Sequence, residues 1–211
     1  LYKKVKEQTE EINISRIDLI KALGQAAEYK DNETGMHVMR MSHYCKILGL
    51  AAGLSEQDAD ILLAASPMHD VGKIGIADKI LLKPGKLDAK EWQIMQTHVN
   101  LGVQILGESK GSELIEMAKT IALTHHEKFN GKGYPNGLIG EQIPLVGRIA
   151  AIAAVFDALS SERPYKAAWP LEKILDLLQQ EKGQHFDPHL VDLFIDNLPK
   201  ILEIKTEFID E

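Results

Sequence analysis

The side chains most able to do chemistry in this sequence are its imidazoles and the carboxylates near them. Eight histidines are present, and most stand beside another potential ligand or one helical turn from it. His69 and Asp70 are expected to close an apolar helix that begins near Glu56, directly before Val71, Gly72 and Lys73. Glu33 and His37 are four apart, so a helix projects both from one face. His98 follows Met95 by three and Trp92 by six, close to the face that a helix opened by Asp88 should bury. His125 and His126 end a helix whose inward stripe runs Ile115, Ala118, Ile121 and Ala122. Singly, each has a plain reading as a packed histidine or a solvated polar pair. Together, Glu33, His37, His69, Asp70, His98, His125 and His126 bring nitrogen and oxygen donors from four helices. That donor set suits Mn, Fe, Zn or Ni and exceeds what one ion takes. It predicts a centre of two or more ions with Asp70 as the bridging carboxylate, chemistry that activates water and clamps a phosphoryl group.

The elements that must position these groups read as helices. Ser55 with Asp58 and Asp88 with Glu91 have capping-box spacing. Pro170 and Pro188 suit first helical positions, the latter after Asp187 as N-cap, and Gly183 suits the end of the helix starting near Pro170. The intervening apolar period is helical, as in Ala59, Leu62, Leu63 and Ala65 or Leu171, Ile174, Leu175 and Leu178. Ile149 to Phe156 is an unbroken apolar run, but its four alanines and its continuation through Leu159 favour a buried helix over a strand. Asn130 to Pro144 reads as a long loop and Lys83-Pro84-Gly85 as a shorter one. The fold class expected is all-α. Leu1 to Leu23 reads as a solvated helix that turns amphipathic, with residues 1–18 a linker helix from a truncated upstream domain and 19–211 the domain proper.

Composition narrows the function classes. The chain's 211 residues allow about 24,000 Å² of surface to be buried on folding, enough for one large core. Hydrophobic residues at 45% and charged residues at 26% are globular values and exclude a disordered or collagen-like chain. A net charge of −7 argues against a nucleic-acid polymer as partner, since that binding depends on Lys and Arg neutralising phosphates. A single cysteine, Cys45, fits a reducing cytoplasm, and no apolar run is long enough to span a membrane.

Beyond these readings the sequence resembles the HD-GYP family, a branch of the HD metal-dependent phosphohydrolases. His69-Asp70-Val71-Gly72-Lys73 and the run from His125 through Gly133-Tyr134-Pro135 are similar to its two signatures. Further matches are Glu33-Thr34-Gly35 with His37, Leu82-Lys83-Pro84-Gly85, Arg163-Pro164-Tyr165, and Gly183 with Phe186-Asp187-Pro188. The resemblance implies a helical bundle around two or three divalent ions, Fe or Mn ahead of Zn or Ni, and hydrolysis of cyclic di-GMP to the linear dinucleotide or GMP. It implies the seven metal ligands named above, Asp70 and Lys73 as catalytic groups with Lys73 on the scissile phosphate, and Arg163 and Lys166 on phosphates or guanines. It further implies that Tyr134 shapes the cleft, that the Gly-Tyr-Pro loop docks a protein such as a diguanylate cyclase domain, and that the N-terminal helix forms a homodimer.

One position departs from the pattern. Family members carry a ligand Asp three residues before the Asp of Asp157-Ala158-Leu159, and here that place is Ala154. A methyl group cannot coordinate, so metal affinity and turnover should fall. The replacement fits an engineered change that traps substrate, a natural sensor or adaptor that has lost catalysis, or an enzyme in which Asp157 partly substitutes. A relative acting on cyclic GMP-AMP is the alternative of substrate.

Overall fold

A computed structural model describes residues 2–31, 35–108, 111–162 and 167–209. Among them are eleven α-helices and three short 3₁₀ turns. No strand occurs there, only isolated bridges such as Asn130 with Ile139, so the all-α expectation holds. The helices are α1 (Tyr2–Lys30), α2 (Gly35–Ala51), α3 (Glu56–Ala65), α4 (Asp78–Leu81), α5 (Ala89–Gln96) and α6 (His98–Leu106). They continue as α7 (Glu113–Thr124), α8 (Leu145–Ser160), α9 (Leu171–Gln180), α10 (Pro188–Asp196) and α11 (Leu198–Glu207).

Five of these make the frame: α2 packs on α3 and α8, and α7 packs on α3, α6 and α8. The alanine-rich run is helical because it is buried on nearly every side: Ile149 through Ala153, Phe156 and Asp157 of α8 are all buried. Tyr44, Phe156 and Phe194 stack edge to face in the centre, with Met41, Leu48, Leu62 and Ile121 around them. Cys45 is fully buried there, and burial pushes its thiol up to about 12, as befits a small core hydrophobe.

Cap chemistry sets the helix starts. Asp88 and Glu91 form a reciprocal box, Asp187 caps α10 ahead of Pro188, and Ser55 accepts from the Asp58 N–H. Pro170 precedes its helix as the cap instead of opening it. The helix opened by Asp88 breaks at Thr97, so His98 begins α6 instead of lying inside α5. α5 has no buried residue, and Trp92, expected near a buried face, is 46% exposed.

Two signature glycines have steric reasons. A Cβ on Gly72 would lie 1.8 Å from the His98 carbonyl oxygen, so only glycine lets the 3₁₀ turn Val71–Gly75 press against the start of α6. A Cβ on Gly133 would meet the Lys128 backbone nitrogen at 2.2 Å, which folds the Gly-Tyr-Pro loop back over the end of α7. No described helix is long and apolar enough to cross a membrane. α1 runs unbroken through residues 18 and 19, with Ile12, Leu19 and Leu23 exposed.

Candidate metal centre

Two adjoining groups of buried donors form where the ends of α1, α3 and α7 meet the start of α6. Asp70, His98, His125 and His126 offer ligand atoms within 4.8 Å of one another, and so do Glu28, His37 and His69. The sequence therefore brought together six of its seven expected ligands. The seventh, Glu33, lies outside the described residues, as do Arg163 and Lys166.

Backbone carbonyls set the imidazoles. Nδ1 of His69 meets the Ser66 carbonyl at 3.1 Å, Nδ1 of His98 that of Met95 at 2.8 Å, and Nδ1 of His125 that of Ile121 at 3.0 Å. A carbonyl only accepts, so Nδ1 carries the proton in each ring and Nε2 keeps the lone pair. Those lone pairs converge on one carboxylate. Nε2 of His98 and of His125 lie 3.1 and 3.3 Å from Asp70 Oδ1, while Nε2 of His69 lies 3.3 Å from Oδ2. Burial would raise the Asp70 pKa, but nearby positive charge, Lys73 foremost, outweighs it and holds the group well below the usual range. Burial lowers the pKa of His125 and lowers that of His126 well below normal, which favours the neutral rings.

The Nε2 atoms thus crowd an ionised carboxylate, and Asp70 Oδ1, His98 Nε2 and His125 Nε2 are buried without a hydrogen bond among the described residues. Acceptors so crowded repel unless a cation lies among them, and orphaned buried polar atoms are costly otherwise. The donor set fits divalent transition metals. Asp70 also presents its two oxygens to the two groups, the arrangement a bridging ligand needs.

Within the second group, His69 shares that backbone support, but His37 is held differently. His37 Nδ1 lies 2.8 Å from Asp157 Oδ2, and the Arg40 guanidinium grips the same carboxylate at 2.7 and 3.0 Å. Carboxylate support of this kind orients a ligating ring and leaves Nε2 to serve as donor. Asp157 is fully buried and committed to these partners, so it sits behind His37. Ala154 lies three residues earlier, on the same face of α8.

Glu28, absent from the sequence reading, completes this group. It is 1% exposed, and neither carboxylate oxygen has a hydrogen bond among the described residues. Burial raises its pKa against the pull of Lys73 and His37. Gly24, Ala27 and Glu28 lie on one inward face of α1, where a carboxylate is rarely left unpaired, but only the packing marks that face as inward.

Lys73 bridges two acids, with Nζ 2.9 Å from Asp70 and 2.6 Å from Asp31. Lys30 supports that turn from α1, its ammonium donating to the carbonyls of Ile74 at 2.7 Å and Ile76 at 2.6 Å. Tyr134 stacks on His126 with ring centres 4.8 Å apart, and burial followed by the Asp70 charge raises its pKa, keeping the hydroxyl protonated. Glu127 anchors the loop by accepting the N–H groups of Asn136 at 2.7 Å and Leu138 at 3.0 Å. His43 stacks on Phe208 and His185 on Phe186, away from both donor groups.

A helical bundle that gathers His-Asp donors in this way is the architecture of HD domains, and the family profile described as HD domain matches residues 21–190. The chain belongs to that family, and its Gly-Tyr-Pro loop is of the HD-GYP type. It is 50% identical over 92% of its length to a 3′3′-cGAMP-specific phosphodiesterase of Vibrio cholerae, of which it covers 37%. It is 42% identical over 90% of its length to the cyclic di-GMP phosphodiesterase response regulator RpfG of Xanthomonas campestris, of which it covers 50%. The chain therefore spans half or less of these relatives. Among solved structures, a cyclic GMP-AMP-specific phosphodiesterase of V. cholerae superposes with a TM-score of 0.66 at 22% identity, over 90% of this chain and 50% of that one, which supports the fold.

Proposed function

We propose that this chain is a metal-dependent phosphodiesterase domain acting on cyclic di-GMP, with turnover weakened by Ala154. The observation that carries this reading is the set of orphaned lone pairs around Asp70, which needs cations, inside a family whose named relatives cleave cyclic dinucleotides. Asp70, His98, His125 and His126 would hold one or more ions, and Glu28, His37, His69 and, by family resemblance, Glu33 would form a second site. Fe or Mn suits these donors, with Zn or Ni as further candidates. Divalent ions bound there would supply Lewis acidity toward a phosphoryl oxygen and an acidified water.

The chain's own groups do the rest. Lys73, positioned by Asp31 and Asp70, places a fixed positive charge where a scissile phosphate gains negative charge. The neutral Tyr134 hydroxyl is a hydrogen-bond donor at the cleft wall. Arg163 and Lys166 are assigned to substrate phosphates or guanines by the family motif, where a forked guanidinium suits a phosphate. Asp157 and Arg40 orient His37, and Glu127 holds the Gly-Tyr-Pro loop against the histidines.

Hydrolysis of cyclic di-GMP by this chain and by Ala154→Asp, with Mn(II) or anaerobic Fe(II), tests the proposal. Turnover restored or raised by the aspartate identifies Ala154 as limiting. Binding without turnover in both replaces the enzyme with a cyclic dinucleotide sensor. Cyclic GMP-AMP run beside cyclic di-GMP at equal metal loading decides the substrate. A homodimer through α1 draws support from exposed Ile12, Leu19 and Leu23, and a docked protein at the Gly-Tyr-Pro loop from exposed Ile139. Light scattering before and after Leu19→Lys checks the dimer.

A further inference from the structure

From the buried donors an aromatic wall rises to the surface. His125 lies 4.0 Å from His126 between ring centres, His126 stacks on Tyr134 at 4.8 Å and 18°, and Trp92 meets Tyr134 edge to face at 6.0 Å and 83°. Exposure grows outward along this path, from 3% at His125 to 46% at Trp92. Trp92 belongs to α5, a helix with no buried residue, so its indole does not serve the core. Single surface aromatics are ordinary, but this one is joined by two ring contacts to a candidate metal ligand.

A phosphodiester held at Asp70 and Lys73 brings its nucleoside along whichever wall adjoins the site. Every nucleobase offers a π-face, and stacking on an aromatic side chain is the sequence-tolerant way to hold one. We infer that Trp92 is a base-stacking residue of this site, taking a purine of the cyclic dinucleotide at the outer end of the wall built by His126 and Tyr134. The assignment rests on the phosphodiesterase reading above. It names a binding residue, since Trp92 is two ring contacts away from the donors.

The chain's own spectroscopy offers a test, because it has two tryptophans. The other, Trp169, lies under the Lys173 ammonium at 3.9 Å, remote in sequence from the wall. In a Trp169→Phe background the emission of the metal-loaded protein reports Trp92 alone. Titration with cyclic di-GMP should change it saturably, and inorganic phosphate should not. In the otherwise unaltered chain carrying Ala154→Asp, Trp92→Ala should raise KM about five- to tenfold, the lower part of the range for lost base stacking. kcat should stay within twofold, as for an interaction made equally in ground and transition states, and Trp92→Phe should recover part of the loss. Binding or hydrolysis of cyclic di-GMP with unchanged Trp92 emission and an unchanged KM in Trp92→Ala overturns the inference and leaves the enzyme standing. Absence of both binding and turnover in every variant removes the phosphodiesterase reading and this residue's role with it.

Discussion

The two donor groups adjoin through Asp70, yet they are built on different supports. In the group of Asp70, His98, His125 and His126, ring orientation comes from the backbone: Met95 and Ile121 carbonyls take the Nδ1 protons within one helical turn. In the group of Glu28, His37 and His69, His37 is steered by Asp157, 120 residues away in sequence, and Glu28 enters from α1. Local support makes the first group a property of helix ends and turns. Long-range support at His37 and Glu28 makes the second depend on α1, α2 and α8 staying in register, and Ala154 lies on that same α8 face.

Asp70 should show the largest effect, because its two oxygens face the two groups. Asp70→Asn keeps the shape and removes the charge, so bound metal should fall in both. Turnover, read in the Ala154→Asp background, should drop by at least about a hundredfold, the scale of losing one preorganised electrostatic stabiliser. Elemental analysis of the purified protein gives the metal count. Full metal content in the asparagine variant would reduce Asp70 to the ion-pair partner of Lys73 and erase the shared border between the groups.

Asp157→Ala should instead separate them. Removing one member of the buried pair with Arg40 strands a guanidinium in the core and costs about 3–5 kcal/mol of stability, read by urea denaturation. Metal affinity should weaken about 10- to 100-fold at the second group, through the loosened His37, while the Asp70 group keeps its ion. Equal loss at both would show that the supports are not independent.

Glu28→Gln asks whether the orphaned carboxylate is a ligand. Metal affinity of the second group should fall by about tenfold or more, and the metal-free protein should be no less stable, since an unpartnered buried charge has been removed. A metal-free protein that loses stability with unaltered metal binding would make Glu28 a structural acid. The two readouts move in opposite senses, so calorimetric titration and denaturation together decide.

The same division explains what could be read from the sequence. His69-Asp70 and His125-His126 were legible because each follows a helix whose apolar stripe is visible in one stretch. α3 nevertheless stops at Ala65, and a 3₁₀ turn, Ser66–Met68, carries the chain to His69, so the pair does not close that helix as expected. His98 was legible only from its spacing to Met95. The capped helix starts and buried α8 were legible for that reason too. Asp157 was visible as an acid in an apolar helix, but its true partners, His37 and Arg40, are set by the packing of α8 on α2. Glu28 was hidden because the inward face of α1 is defined by what it packs against, the turn at Pro67 that Gly24 touches. The break at Thr97 escaped because the apolar period continues through it, and only the close approach of Gly72 to His98 shows why the chain must turn there.

His185 sharpens the comparison from outside both groups. Its backbone carbonyl accepts the Phe129 N–H at 3.0 Å and so ties down the loop that follows His125-His126, but its ring stacks on Phe186 and reaches no donor group. Burial, followed by the Lys128 charge, depresses its pKa from 6.5 to about 4. The unfolded chain therefore binds a proton that the folded one refuses, between pH 6.5 and about 4. Stability is fully present above that window and falls as the pH falls through it. For this ring the loss between pH 7 and 4.5 is about 2–3 kcal/mol. In metal-loaded protein, where ions would hold the imidazoles of the two donor groups, His185→Phe should lose less stability than the parent over that interval by about this amount. Urea denaturation at the two pH values measures it. An unchanged acid sensitivity would place the titrating group elsewhere, in the donor groups or at His43, whose pKa burial also lowers.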